Sequence, residues 1–240
     1  MKISDYKLLS FDTFGTLIDW ESGIWTAMQP LMAMMPSAPD RDDALAVFAE
    51  LESAQQEDTP DMIYSLLLEQ VYKDLADGWD LPASDEEAHR FGLSVRNWPA
   101  FSDAAESLAY LSEHFSLVTL TNCDRLSYKS SNAWLGDPWD AIYTAQDVGS
   151  YKPSPRNFDY MLRRIKVDFE IEKGDILHVA QSLFHDHTMA TEKGLATCWI
   201  DRRQGRDGYG ATMEPEGDFR IDFKFASMKE FVAAHKAELA

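Results

Sequence analysis

Short apolar runs recur along this chain, and helically spaced apolar positions stand between them. The runs are Tyr6 to Phe11, Phe115 to Thr121, Ala141 to Thr144, Ile176 to Ala180 and Ala196 to Ile200. Segments this short, apolar at consecutive positions, suit strands buried on both faces, which occur in parallel sheets covered by helices. From Asp103 the residues Leu108, Tyr110 and Leu111 fit a helix, and from Pro155 the residues Phe158, Met161, Leu162 and Ile165 fit another. The alternation predicts βαβ units in a doubly wound, parallel-sheet (Rossmann-like) α/β core, with ligands beyond the carboxyl ends of the strands. Arg203 to Gly217, rich in glycine and charge, reads as a loop, Phe219 to Phe225 as a last strand and Met228 to Leu239 as a closing helix.

One interval breaks the alternation. Between Asp19 and Asn97 there is no strand-like run, and the pattern gives successive amphipathic helices at Asp42 to Gln56, Met62 to Ala76 and Asp85 to Leu93. Pro60 supplies a helix start, Asp77-Gly78 a stop, and Trp98-Pro99 the return to the core. The expected organisation is an α/β core of residues 1–18 and 98–240, with an all-helical unit of residues 19–97 inserted after the first strand.

The first run ends in Phe11-Asp12-Thr13-Phe14-Gly15-Thr16-Leu17. A carboxylate at a strand end can attack an electrophilic carbon or phosphorus and form an ester; Asp in this place also simply starts turns. Phe14, two residues on, cannot donate a proton. The second run ends in Thr121 and Asn122, which offer a hydroxyl and an amide to an anion. Val148-Gly149-Ser150-Tyr151-Lys152-Pro153 sets a lysine after a strand and turn, where it could compensate Asp12. The fourth run continues through Gln181 and Ser182 to His185, Asp186 and His187. Adjacent residues do not normally face one metal ion, so Asp186 is read as the acidic partner, His185 as an alternative base and His187 as helix surface.

These four segments, in this order, resemble the motifs of the haloacid dehalogenase superfamily, and Asp-x-Phe-Gly-Thr is similar to the Asp-x-Tyr-Gly-Thr of its type II 2-haloacid dehalogenases rather than the Asp-x-Asp-Gly-Thr of its phosphatases. The resemblance implies that the helical insert is a cap. It implies an (S)-2-haloacid dehalogenase-like hydrolase in which Asp12 is the nucleophile, Lys152 its charge partner and Asp186 the residue that handles water. Thr121, Asn122, Gln181, Ser182 and His185 would bind substrate, and Phe14 would help make a dry pocket. No metal and no cofactor is implied, since halide leaves without a proton. A magnesium-dependent phosphatase using Asp12 and Asp186 as ligands and a non-catalytic binding protein stay open. The halide-binding arginine of the dehalogenases has no equivalent in Ala44 to Gln56; Arg41 stands just before that helix, and Gln55 and Gln56 end it. Ser130-Ser131-Asn132-Ala133-Trp134 mimics one family motif but falls in a helical pattern ahead of the lysine.

The formal net charge of −19 disfavours nucleic acid and anionic membrane surfaces as partners. No apolar stretch is long enough to span a bilayer, so the expectation is a soluble cytoplasmic protein acting on a small-molecule acid, with a homodimer left open. Cys123 and Cys198, the only two cysteines, read as reduced core residues.

Overall fold

The structure, a computed structural model, describes residues 1–240. Six strands form one wholly parallel sheet: β1 (Leu8–Phe11), β2 (Ser116–Thr121), β3 (Ala141–Thr144), β4 (Ile176–Ala180), β5 (Ala196–Ile200) and β6 (Phe223–Phe225). Their spatial order is β3-β2-β1-β4-β5-β6. The order reverses beside β1, where Leu8 stands in register with both Ser116 and Ile176, and Phe11 with Thr119 and Val179. Such a switch point opens a crevice at the carboxyl end of the central strand, and the first residue past that end is Asp12.

All four residues of β1 are buried because both faces are covered. Alternate side chains point to opposite faces. Leu9 and Phe11 join a large apolar core that continues into the inserted helices through Phe14, Ile24, Phe48, Leu68 and Phe91. Leu8 joins a smaller core with Val118, Leu120, Phe158, Met161 and Ile165.

Between β1 and Trp98 lie four helices and no strand: α1 (Trp20–Met32), α2 (Arg41–Asp58), α3 (Tyr64–Gly78) and α4 (Asp85–Leu93). Three of the four starts are written in short acceptors: Asp19 accepts from Ser22 N, Asp40 from Asp43 N, and Ser84 forms a reciprocal box with Glu87, while α3 follows Ile63 without a side-chain cap. Helix α1 is the element the sequence pattern did not predict. Gly23 and Pro30 punctuate it, yet Pro30 falls two residues before its end, and Gly23 is there for packing: a Cβ on it would lie 2.2 Å from Cδ1 of Trp98.

The remaining helices are α5 (Ala104–Leu111), α6 (Arg125–Leu135), α7 (Ala145–Val148), α8 (Pro155–Phe169), α9 (Thr188–Glu192) and α10 (Met228–Leu239). Ser130 to Trp134 lies inside α6. The last strand is shorter than expected, starting at Phe223 rather than Phe219. Thr197 holds the chain just ahead of β6: its N–H donates to the Asp222 carboxylate, its hydroxyl to Arg220 O, and its own carbonyl accepts from Asp222 N at 3.1 Å. No helix is long and apolar enough to cross a membrane.

Candidate active site

Asp12 sits where β1 gives way to a tight turn. Gly15 holds φ +89 there, and a Cβ on it would come within 2.9 Å of Gln181 Oε1. The turn folds Thr16 back so that its hydroxyl donates to Asp12 Oδ2 at 2.7 Å while accepting from Gln181 N at 2.8 Å. Lys152 reaches in from the loop after α7 and donates to Asp12 Oδ1 at 2.7 Å and to Asp186 Oδ1 at 2.8 Å. Asp186 stands on a π-helical turn, Leu183–His187, that follows β4. Its Oδ1 also meets His178 Nε2 at 3.0 Å, and because a carboxylate only accepts, that nitrogen donates. Ser10 Oγ holds the far side of the ring, 2.9 Å from Nδ1.

The lysine is fixed by its backbone as well. Asn122 Oδ1 accepts from Lys152 N at 2.6 Å, and its Nδ2 donates to Lys152 O at 3.0 Å. Asp12, Lys152 and Asp186 are all buried, so two carboxylates share one ammonium away from water. Burial pushes the Asp12 carboxyl upward and Asp186 adds to it, against the pull of Lys152 and Thr16. Burial also works to raise Asp186, but Lys152 and His178 outweigh it and hold this carboxyl well below the usual range. Lys152 is lowered by burial and raised by its two carboxylates, with the net shift upward. Asp186 is therefore the firmly ionised anchor, and Asp12 the more basic oxygen pair.

A small cavity opens over Asp12. From the core it is lined by Asp12, Phe14, Asn122, Lys152, Ser182 and His185, and from the inserted helices by Trp20, Glu52 and Tyr64. Its volume of about 20 Å³ is room for little more than one water. Phe14 stacks on Tyr64 at 6.4 Å and meets Trp98 edge-on at 5.4 Å, giving the cavity an aromatic wall. Tyr151, next to Lys152, donates its hydroxyl to Met62 O, and Ser65 N donates to Asp124 Oδ2 at 3.3 Å, so hydrogen bonds as well as apolar packing join the inserted helices to the loops around the site.

No family model matches the sequence, and no curated protein matches it. Solved structures do match in shape. The L-2-haloacid dehalogenase from Xanthobacter autotrophicus superposes with a TM-score of 0.78 at 16% identity, over 96% of this chain and 98% of that one. This is the haloacid dehalogenase-like fold. The same Xanthobacter dehalogenase with chloropropionic acid covalently bound gives a TM-score of 0.76 at 14% identity, over 96% and 98% of the two chains. The HAD-hydrolase YfnB from Bacillus subtilis, bound to magnesium, gives 0.74 at 17% identity, over 96% and 99%.

Within this haloacid dehalogenase-like fold, the structure brings Asp12, Lys152 and Asp186 together and places Phe14, Asn122, Ser182 and His185 on the cavity wall. Asn122 holds the Lys152 backbone with its carbonyl oxygen and one of its two amide hydrogens, which leaves the other hydrogen at the cavity wall. Thr121 is buried outside the lining with its hydroxyl unpartnered. Gln181 lines a neighbouring cavity with Gly15, Trp20 and Arg41, so neither it nor Arg41 faces Asp12 there; Arg41 donates instead to Ser22 Oγ at 3.1 Å. His187, expected on a helix surface, is buried: its Nε2 donates to Ala180 O at 3.0 Å, and burial brings its pKa down to about 4. His185 is likewise pushed down to about 4 by burial and is neutral at pH 7.

Sequence reasoning missed Thr16, His178, Trp20, Glu52 and Tyr64. For Glu52 a signal existed: Leu45, Phe48, Ala49, Glu52 and Gln56 share the buried stripe of α2, and an acid at an apolar-stripe position is anomalous. The donor set suits an ammonium better than a divalent ion. Lys152 Nζ already bridges the Asp12 and Asp186 Oδ1 atoms, and no three His, Cys, Asp or Glu side chains converge as metal ligands.

Proposed function

We propose that the chain is a hydrolase that cleaves the carbon–halogen bond of a small 2-haloalkanoic acid through an ester on Asp12. The observation that carries this reading is a strand-end carboxylate compensated by a buried lysine, with Phe14 standing where a proton donor to an alkoxide would be needed. Asp12 attacks the carbon bearing halogen in line, the new C–O bond forms, and the halide departs with the C–X electron pair. Lys152 has three N–H donors and spends two on Asp12 and Asp186, which leaves the third for the substrate carboxylate. Ser182 and His185 complete the binding wall.

Water then attacks the Asp12 carbonyl carbon. Asp186 Oδ2 is buried and has no protein partner, so it is the acceptor that holds and takes the water's hydrogen. Collapse of the adduct breaks the acyl–oxygen bond, the alkoxide recovers the proton from Asp186, and the regenerated Asp12 acid sheds its proton to water. One inversion at carbon results, and no cofactor takes part. The closed cavity is too small for such a substrate, so the inserted helices act as a cap that must open to admit it.

The test is a panel of 2-haloacids and phosphoesters followed for halide and phosphate release, with and without chelator. The expected outcome is halide release that survives excess chelator. Efficient magnesium-dependent phosphate release with no halide from any haloacid would overturn the reading.

A further inference from the structure

Glu52 is an acid facing the nucleophile with no cation of its own. It is 2% exposed, lines the cavity over Asp12 from α2, and makes no salt bridge. Its one side-chain partner in hydrogen-bond geometry is Tyr64, whose hydroxyl donates to Oε1 at 2.8 Å. That bond marks Oε1 as the acceptor oxygen and leaves Oε2 as the place for a proton.

We propose that Glu52, as a neutral carboxylic acid held by Tyr64, donates a hydrogen bond to the departing halide on the cap side of the pocket. The proposal rests on the dehalogenase reading and adds to it the halide site. A halide needs N–H or O–H donors when it leaves carbon in a dry pocket. Every cation near by is spent: Lys152 lies between Asp12 and Asp186, and Arg41 lines the next cavity beyond Trp20. An ionised Glu52 would repel both the halide and the substrate carboxylate. In the acid form the same atoms supply a donor on the cap side, and no proton has to be transferred: the C–X electron pair leaves with X⁻, which accepts the O–H.

Burial lifts the Glu52 carboxyl to about 7, against the opposing hydrogen bond of Tyr64 and the nearby Gln56 amide, so the donor form prevails below neutrality and is lost above it. The ionisable groups around it are Tyr64 on α3, Tyr151 in the lysine loop, and Asp12, Lys152 and His185 across the cavity. Tyr64 and Tyr151 are pushed up by burial and stay protonated, and His185 is already neutral, so these three do not change charge in the range where Glu52 does.

The experiment measures halide release from 2-chloropropionate and 2-bromopropionate between about pH 5.5 and 9 in the wild type, Glu52→Gln and Glu52→Ala, together with bromide binding by calorimetry on the same proteins. Wild-type kcat/KM should fall by about tenfold per pH unit above the Glu52 midpoint. Glu52→Gln keeps an N–H donor and should remove that limb while staying within about tenfold of wild type at low pH; Glu52→Ala should lose on the order of 10²-fold at low pH and converge on wild type as Glu52 ionises. A wild-type profile flat through the alkaline range, or a limb unchanged in Glu52→Gln, overturns the donor role and leaves the dehalogenase reading standing. If no haloacid releases halide, that reading fails, and bromide decides the site alone. Binding that weakens above neutrality in the wild type but not in Glu52→Gln supports it, and absent or pH-independent binding overturns it.

Discussion

The two walls of the cavity are built on opposite principles. On the sheet side, both oxygens of Asp12 and two of the three Lys152 hydrogens are taken by named partners, and Asn122, Thr16 and His178 hold those partners in turn. On the cap side, Glu52 is buried with a tyrosine alone in hydrogen-bond geometry, and Gln56 Nε2, one turn on, is buried without a partner. A network bridged by a buried lysine holds one geometry, which suits the attacking group of the proposed reaction. An under-satisfied acid can change state, which suits the group that meets whatever leaves. On the proposed reading the sheet side fixes the reaction, and the inserted helices fix what it accepts.

The comparison breaks most visibly at the nucleophile. Asp12→Asn keeps the shape and should lower turnover by about 10⁴-fold or more, with an unchanged circular dichroism spectrum. Next, Lys152→Met leaves two buried carboxylates without a counter-charge. It should cost about 3–5 kcal/mol by urea unfolding at pH 7, a loss that falls as the pH is lowered and the carboxylates take up protons.

The cap side should respond with the opposite sign. Because the Glu52 pKa is raised on folding, the folded chain binds more protons than the unfolded one from its ordinary range up to about 7, and stability falls as pH rises through that window. Glu52→Gln should therefore match wild type near pH 4 and exceed it at pH 8 by up to about 3 kcal/mol, read from the two unfolding midpoints. The smallest effect belongs to a residue acting at one remove. His178→Asn loosens Asp186 and should slow ester hydrolysis by about tenfold while leaving the burst of halide in the first turnover intact. Equal losses in both steps would show that His178 supports the fold rather than the water step.

The legible parts of this molecule were those where one physical demand acts alone. Strands β1 to β5 announce themselves because burial on both faces favours runs of mostly apolar residues, and Asp12, Lys152 and Asp186 stand out as polar residues placed past such runs. Helix α1 was hidden because Gly23 and Pro30 serve packing against Trp98 and the helix end, overriding the local signal. His178 was hidden for the reverse reason: inside β4 it reads as one polar interruption, and its partners Ser10 and Asp186 come together only when β1 and β4 pair. Asn122 is visible as a donor, but the sequence does not show that its carbonyl oxygen and one amide hydrogen also hold the Lys152 backbone. Glu52 needed the cap to be folded over Asp12 before its position carried meaning.

The central claim is that Asp12 forms a covalent ester with the substrate. A single turnover in heavy-oxygen water, with enzyme in excess over 2-chloropropionate, tests it most directly. Peptide mass mapping should find the heavy oxygen in the Asp12 carboxylate and ordinary oxygen in the first 2-hydroxy acid released. Heavy oxygen in that first product, with Asp12 unlabelled, would mean that water attacks carbon directly and would contradict the account.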